Sequence, residues 1–251
     1  MKLLRSLSPI NKIIVDKLKE QKIVIEELSD SAFNKKVKEF RGKKLIELDN
    51  SRSHLSKING YYQPESEHVL IRNSSEYSKE YILMHELVHA IRDSKRANRL
   101  YLTPTITARL KKVLKKVEGD IIATNFVKRK MNADLTSWRE EAVADCVSIF
   151  LCNQYGSTKL KDVDIGNKRV IFVPLYLKEV YTEKEKEVYL KTVRKECLYT
   201  LEYIFGHYLD SDNILWDKNM VISHFDTFFD KEVRRCKKII DKLERESSKN
   251  V

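Results

Sequence analysis

Apolar residues near the start of the chain recur at helical spacing. Ile10, Ile13, Ile14 and Leu18 share one side of a helix expected to open at Ser8 or Pro9 and to close at Glu20. The pattern then shortens. KIVIEEL (Lys22 to Leu28) and KLIEL (Lys44 to Leu48) read as strands, separated by an amphipathic helix near Asp30 to Phe40 that the pair Arg41-Gly42 should end. A hairpin follows: Asn59 to Tyr62, turn material at Gln63-Pro64-Glu65-Ser66, and EHVLIRN from Glu67 to Asn73. Tyr81 to Asp93 then carries Met84, Leu87, Val88 and Ile91 at i, i+3, i+4, i+7, which predicts a helix with one face in the core.

Beyond Asp93 the periodicity is almost wholly helical. Helices are expected over Thr105 to Lys116, Asp120 to Lys130 and Trp138 to Cys152. An extended piece at Arg169 to Leu175 precedes the longest helical pattern, Glu183 to Tyr208. A charged helix from Lys231 to about Glu246 closes the chain, with Val233, Ile239, Ile240 and Leu243 able to dock on a core. The sum is an α+β, mostly helical chain with a few short strands near its start. Its 251 residues, 42% of them hydrophobic, suffice for one large domain. A two-lobed form would have an α/β lobe over about residues 1–95, a helical lobe over about 96–251, and a cleft between them. No repeat or linker marks a boundary.

Charge alters this picture little. Lys and Arg exceed Asp and Glu by 48 to 37, a net charge of +11, but the two signs are interspersed. The densest basic runs, Lys111 to Lys116 and Arg234 to Lys238, fit helix faces better than an aromatic-studded nucleic-acid groove, so a nucleic-acid partner is not expected. Cys146, Cys152, Cys197 and Cys236 form no CxxC pair and no disulfide framework, which points to a reducing compartment at synthesis. The opening MKLLRSLSPINKII lacks an apolar signal core and a small-residue cleavage site, and no stretch approaches a membrane span. A cytoplasmic protein without a Sec signal is expected, with export by another route left open.

Chemistry concentrates in YILMHELVHAIRD. His85, Glu86 and His89 form an HExxH pattern. With about 100° per residue on a helix, the two histidines lie within roughly 40° of each other on consecutive turns and can share one zinc ion. Glu86, at the edge of the same face, is placed to take a proton from a water that the metal has made acidic. The bland alternative is two core histidines four residues apart, and a third ligand decides between the two.

That ligand should be a carboxylate or imidazole on an element packed against the HExxH helix. TSWREEAVADCVSIFL supplies Glu141 and Asp145, four apart on one face and the only ExxxD pair after His89. Their neighbours are apolar nearly all round, so two acids there need a reason. Glu141 as zinc ligand, with Asp145 accepting the second N–H of a ligand histidine, provides one; acids answering a helix start or nearby Lys and Arg are the alternative. Glu140 competes, but Ser137-Trp138-Arg139-Glu140 fits a capping box. Asp93, one turn past His89, suits a surface pair or a supporting contact better than a ligand.

HELVH followed 141 − 89 = 52 residues later by EAVAD resembles the gluzincin zinc metallopeptidases. GYYQPESEHVLI, YILMHELVHAI and TSWREEAVADCVSIF together are similar to the catalytic domain of the lethal-factor and Pro-Pro endopeptidase group. The resemblance implies a twisted sheet with an edge strand over a cleft, His85, His89 and Glu141 as zinc ligands, and Glu86 as general base. It also implies a protein or peptide substrate bound as an extended strand, here expected along EHVLIRN. A toxin or translocated effector and a peptidase acting inside its own cell both fit. Two positions depart from the group: Val88 stands where glycine usually precedes the second histidine, and Trp138 stands near where a transition-state tyrosine is expected. By looser analogy with thermolysin-like enzymes, His207 is the first candidate for the oxyanion donor, followed by Tyr208 and His224. A non-catalytic binding protein stabilised by zinc is the alternative reading, and a basic nucleic-acid-binding module is the third. The substrate and the oligomeric state are not legible.

Overall fold

The computed structural model describes residues 6–46, 59–93, 135–156, 160, 182–210 and 215–247. Among these are six α-helices and one three-stranded mixed sheet, a mostly helical α+β fold. Helix α1 spans Pro9–Glu20. Pro9 needs no N–H partner at the first turn, and the Ser8 side chain accepts from the Asn11 N–H at 3.3 Å. Its buried stripe is Asn11, Ile14, Val15 and Leu18. The helix ends in a Schellman arrangement: Lys22 N–H donates to Lys19 C=O at 2.9 Å and Ile23 N–H to Leu18 C=O at 3.0 Å. Lys22 takes the left-handed conformation, φ 71°, that this cap demands.

Strand β1, Val24–Leu28, leads into α2, Asp30–Ile46. The sequence placed a helix end at Arg41-Gly42 and a strand from Lys44. Instead the helix crosses Gly42 and continues to Ile46, because an interior glycine costs about 1 kcal/mol relative to alanine and does not by itself stop a helix. Phe33 and Val37 of α2 bury against Leu70, with Leu28, Phe40 and Tyr61 packed around them.

The hairpin forms where expected, as β2, Gly60–Gln63, and β3, His68–Arg72, with Glu67 left-handed at φ 53° in the turn. Sheet order is β1-β3-β2. β3 pairs in parallel with β1, Val69 opposite Ile25, and antiparallel with β2, Leu70 opposite Tyr61. EHVLIRN is therefore the central strand, and its main-chain groups are engaged on both sides. The expectation that a substrate strand adds along it is wrong. Burial agrees with the central position, since Val69, Leu70 and Ile71 are all 0% exposed.

Helix α3, Lys79–Asp93, packs on β2 and β3, and its Leu83, Met84, Leu87 and Val88 are each fully buried. Glu80 in its first turn is also buried; it accepts from Asn11 Nδ2 at 2.7 Å and from the Ser8 N–H at 3.3 Å, tying α1 to α3. Helix α4, Leu135–Tyr155, is buried without interruption from Ala142 to Cys152, as its all-round apolar pattern predicts. It begins at Leu135, so Ser137 and Glu140 both lie inside the helix and the predicted capping box does not open it.

Helix α5 spans Glu183–Ile204, and a π-helical turn, Phe205–Leu209, completes the stretch expected to reach Tyr208. Helix α6 spans Lys218–Ser247, starting well before the predicted Lys231. Asp217 caps it, accepting from the N–H groups of Asn219 at 2.8 Å and Met220 at 3.1 Å. The helices expected at Thr105–Lys116 and Asp120–Lys130, and the strand expected at Arg169–Leu175, lie outside the described residues.

The chain forms two compact units. The first holds α1, the sheet with α2 and α3, α4 from Val147, and the chain from Thr200 through the π turn. There Arg92 donates to Thr200 Oγ1 at 2.8 Å and Tyr208 Oη donates to Gln21 Oε1 at 3.3 Å. The second holds α4 to Cys146, α5 to Tyr199, and α6. Arg139 meets Glu196 at 2.9 Å, Arg194 Nε donates to Asp226 at 2.8 Å, and Cys146, Cys197 and Cys236 are buried. Contact with Cys197 and burial push the Cys146 thiol well above its ordinary range. None of the four cysteines forms a disulfide. No helix among the described residues is long and apolar enough to cross a membrane.

Candidate metal centre

The predicted apolar stripe of α3 is what orients its histidines. Burial of Met84, Leu87, Val88 and Ile91 fixes the helix's rotation, and the neighbouring stripe with His85, Glu86 and His89 stays only partly buried. The two imidazoles meet edge to face, ring centroids 4.8 Å apart, and their Nε2 atoms are 3.1 Å apart. One turn earlier, Tyr81 sets its ring edge-on to His85 at 6.0 Å.

His85, His89 and Glu141 each offer one ligand atom, and these atoms all lie within 4.8 Å of one another. Among the described residues they form the one group of three or more His, Cys, Asp or Glu side chains so placed. The donor set fits zinc. Zinc–nitrogen bonds of about 2.0–2.1 Å at a tetrahedral angle put two nitrogens about 3.3 Å apart, close to the separation found here. Two imidazoles with one carboxylate are also the ligand chemistry that leaves a catalytic zinc an open position.

The other candidates separate cleanly. Asp145 is 3% exposed on α4, one turn past Glu141, and Glu140 is outside the ligand group. Asp93 is also outside it and accepts from Tyr62 Oη at 3.4 Å. His207 lies on the π turn, exposed, with its ring stacked on Tyr203 at 4.1 Å. Tyr208 is buried, and burial raises its phenol pKa far above the ordinary value. His224 is exposed on α6.

Gly60 is the site residue that sequence reasoning read only as hairpin material. A Cβ there would lie 2.7 Å from Glu86 Oε1 and 2.6 Å from Ile82 Cγ2. A lone glycine inside a strand is the signal that marks such a close approach.

Comparison with protein-family models, with curated proteins and with solved structures finds no match to this chain.

Proposed function

We propose that this chain is a zinc-dependent endopeptidase of the gluzincin type, with His85, His89 and Glu141 as metal ligands and Glu86 as general base. The observation that carries the reading is the 3.1 Å approach of the two histidine Nε2 atoms, with a carboxylate from α4 in the same group. Zinc, when bound, supplies Lewis acidity, which polarises a carbonyl and makes water acidic near neutral pH. Glu86, next in sequence to a ligand and not itself in the ligand group, accepts the proton of the attacking water and can hand it to the leaving amine. Asp145 is proposed to orient a ligand histidine from its buried position on α4.

The substrate is proposed to lie extended along β2, at one margin of the sheet. The Arg72 N–H donates to Asn59 C=O at 2.9 Å, so by antiparallel alternation the Gly60 and Tyr62 main-chain groups face away from β3. Gly60 is also beside Glu86. A peptide on that side would bring its scissile bond past the base through main-chain contacts. The HELVH and EAVAD likeness extends the proposal to a toxin or effector that cuts a particular protein. The competing reading, a binding protein that zinc only stabilises, predicts metal without cleavage.

A proteome-derived peptide library incubated with the full chain separates the two. New N-termini that vanish with chelator, and in Glu86→Gln, are the expected outcome. Glu86→Gln retains the metal ligands and should lose about 10²–10⁴ in rate from the missing base. Cleavage at the wild-type rate in that variant contradicts the mechanism.

A further inference from the structure

Strand β2 turns one side toward α3. From that side Tyr62 reaches Asp93, while position 60, two residues earlier, faces Ile82 and Glu86. Tyr61, between them, turns the other way and packs on the Phe33–Val37–Leu70 cluster. Ile82, Glu86 and Asp93 therefore form a stripe of α3 that β2 lies along, and the strand presents no side chain where it meets the carboxylate proposed as general base.

We infer that Gly60 is a positioning residue for Glu86: the bare backbone at this point of β2 is what allows the Glu86 side chain its place beside the strand. A Cβ at position 60 would approach Glu86 Cγ to 2.8 Å and Oε1 to 2.7 Å, closer than the 3.0 Å that real Cβ atoms keep. The third contact, Ile82 Cγ2 at 2.6 Å, belongs to a β-branched side chain with little rotamer freedom on a helix. The Glu86 side chain has more rotatable torsions than that of Ile82, so it yields first. Alanine at position 60 displaces the carboxylate and leaves the imidazoles of His85 and His89 in place. Catalytic groups are sensitive to such shifts: a displacement of about 1 Å can cost on the order of 10²-fold in rate. The consequence for catalysis rests on the reading of Glu86 as base, whereas the steric relation does not.

The test uses the full chain as Gly60→Ala and as Gly60→Ala/Ile82→Ala, the second removing the stiffest contact, with the helical content of both checked by circular dichroism. Crystal structures of both, without added metal, should show the Glu86 carboxylate moved away from β2; a carboxylate that stays in place overturns the inference. Zinc content should match wild type. For the best-cleaved member of a fluorescence-quenched peptide library, kcat should fall on the order of 10²-fold while KM changes little, the pattern of an interaction needed only in the transition state. An unchanged kcat, or a loss confined to KM, also overturns it. If wild type cleaves no peptide, the proposed function fails on its own, and the two crystal structures still decide whether Gly60 seats Glu86.

Discussion

His85 and His89 hold their Nε2 atoms 3.1 Å apart across one turn of α3, with Glu141 in the same ligand group. Two neutral imidazoles at that distance can share one proton in a hydrogen bond or one cation between two lone pairs. Glu141 adds a negative donor that a cation would use and that a shared proton would not need.

The neighbours Glu140 and Glu141 should behave differently. Glu141→Ala should lose zinc and activity together. Glu140→Ala, inside α4 and outside the ligand group, should keep zinc and change stability by less than about 1 kcal/mol. Asp145→Asn should retain some metal and lower affinity or activity about ten- to a hundredfold. Zinc content across the three variants checks this; zinc retained in Glu141→Ala places the third ligand elsewhere.

Glu80 joins α1 to α3 from a buried position. Glu80→Ala removes the acceptor for Asn11 Nδ2 and the Ser8 N–H and leaves those donors without it, which should cost about 1–3 kcal/mol. Urea unfolding of the full chain measures the loss, and a change within error would show that the contact adds nothing to stability.

Lys22 pays the left-handed penalty of its cap with an exposed side chain. Left-handed backbone costs an L-residue about 1–2 kcal/mol, partly offset in glycine by greater freedom when unfolded. Lys22→Gly should therefore stabilise by about 1 kcal/mol, seen as a higher urea midpoint at unchanged slope. A lower midpoint would mean that the lysine side chain contributes more than its backbone strain costs.

Much of the fold was legible where local signals agreed. Ser8-Pro9 opens α1, Pro64 to Glu67 turns the hairpin, and the Met84–Leu87–Val88–Ile91 stripe buries α3 as its spacing requires. The misreadings have physical causes. β3 is central where an edge strand was expected, because its parallel pairing with β1 brings together residues more than 40 apart, which no local pattern records. Gly42 was read as a stop, but neighbouring helix-forming residues outweigh one interior glycine. Helix α6 opens at the Asp217 cap, ahead of the charged pattern after Lys231, because Val221, Phe225 and Phe229 bury at helical spacing. Of the candidate site, the grouping of His85, His89 and Glu141 could be anticipated because helical spacing converts sequence into geometry. Gly60 could not, since its meaning lies in what α3 brings opposite it.

Zinc should be measured by mass spectrometry on the purified full chain, beside His85→Ala/His89→Ala at equal protein concentration. One zinc per wild-type chain and none in the double variant are expected, with the helical content of both retained. A wild-type chain that takes up no zinc when it is supplied, or a double variant that still binds one per chain, would contradict the proposed zinc site.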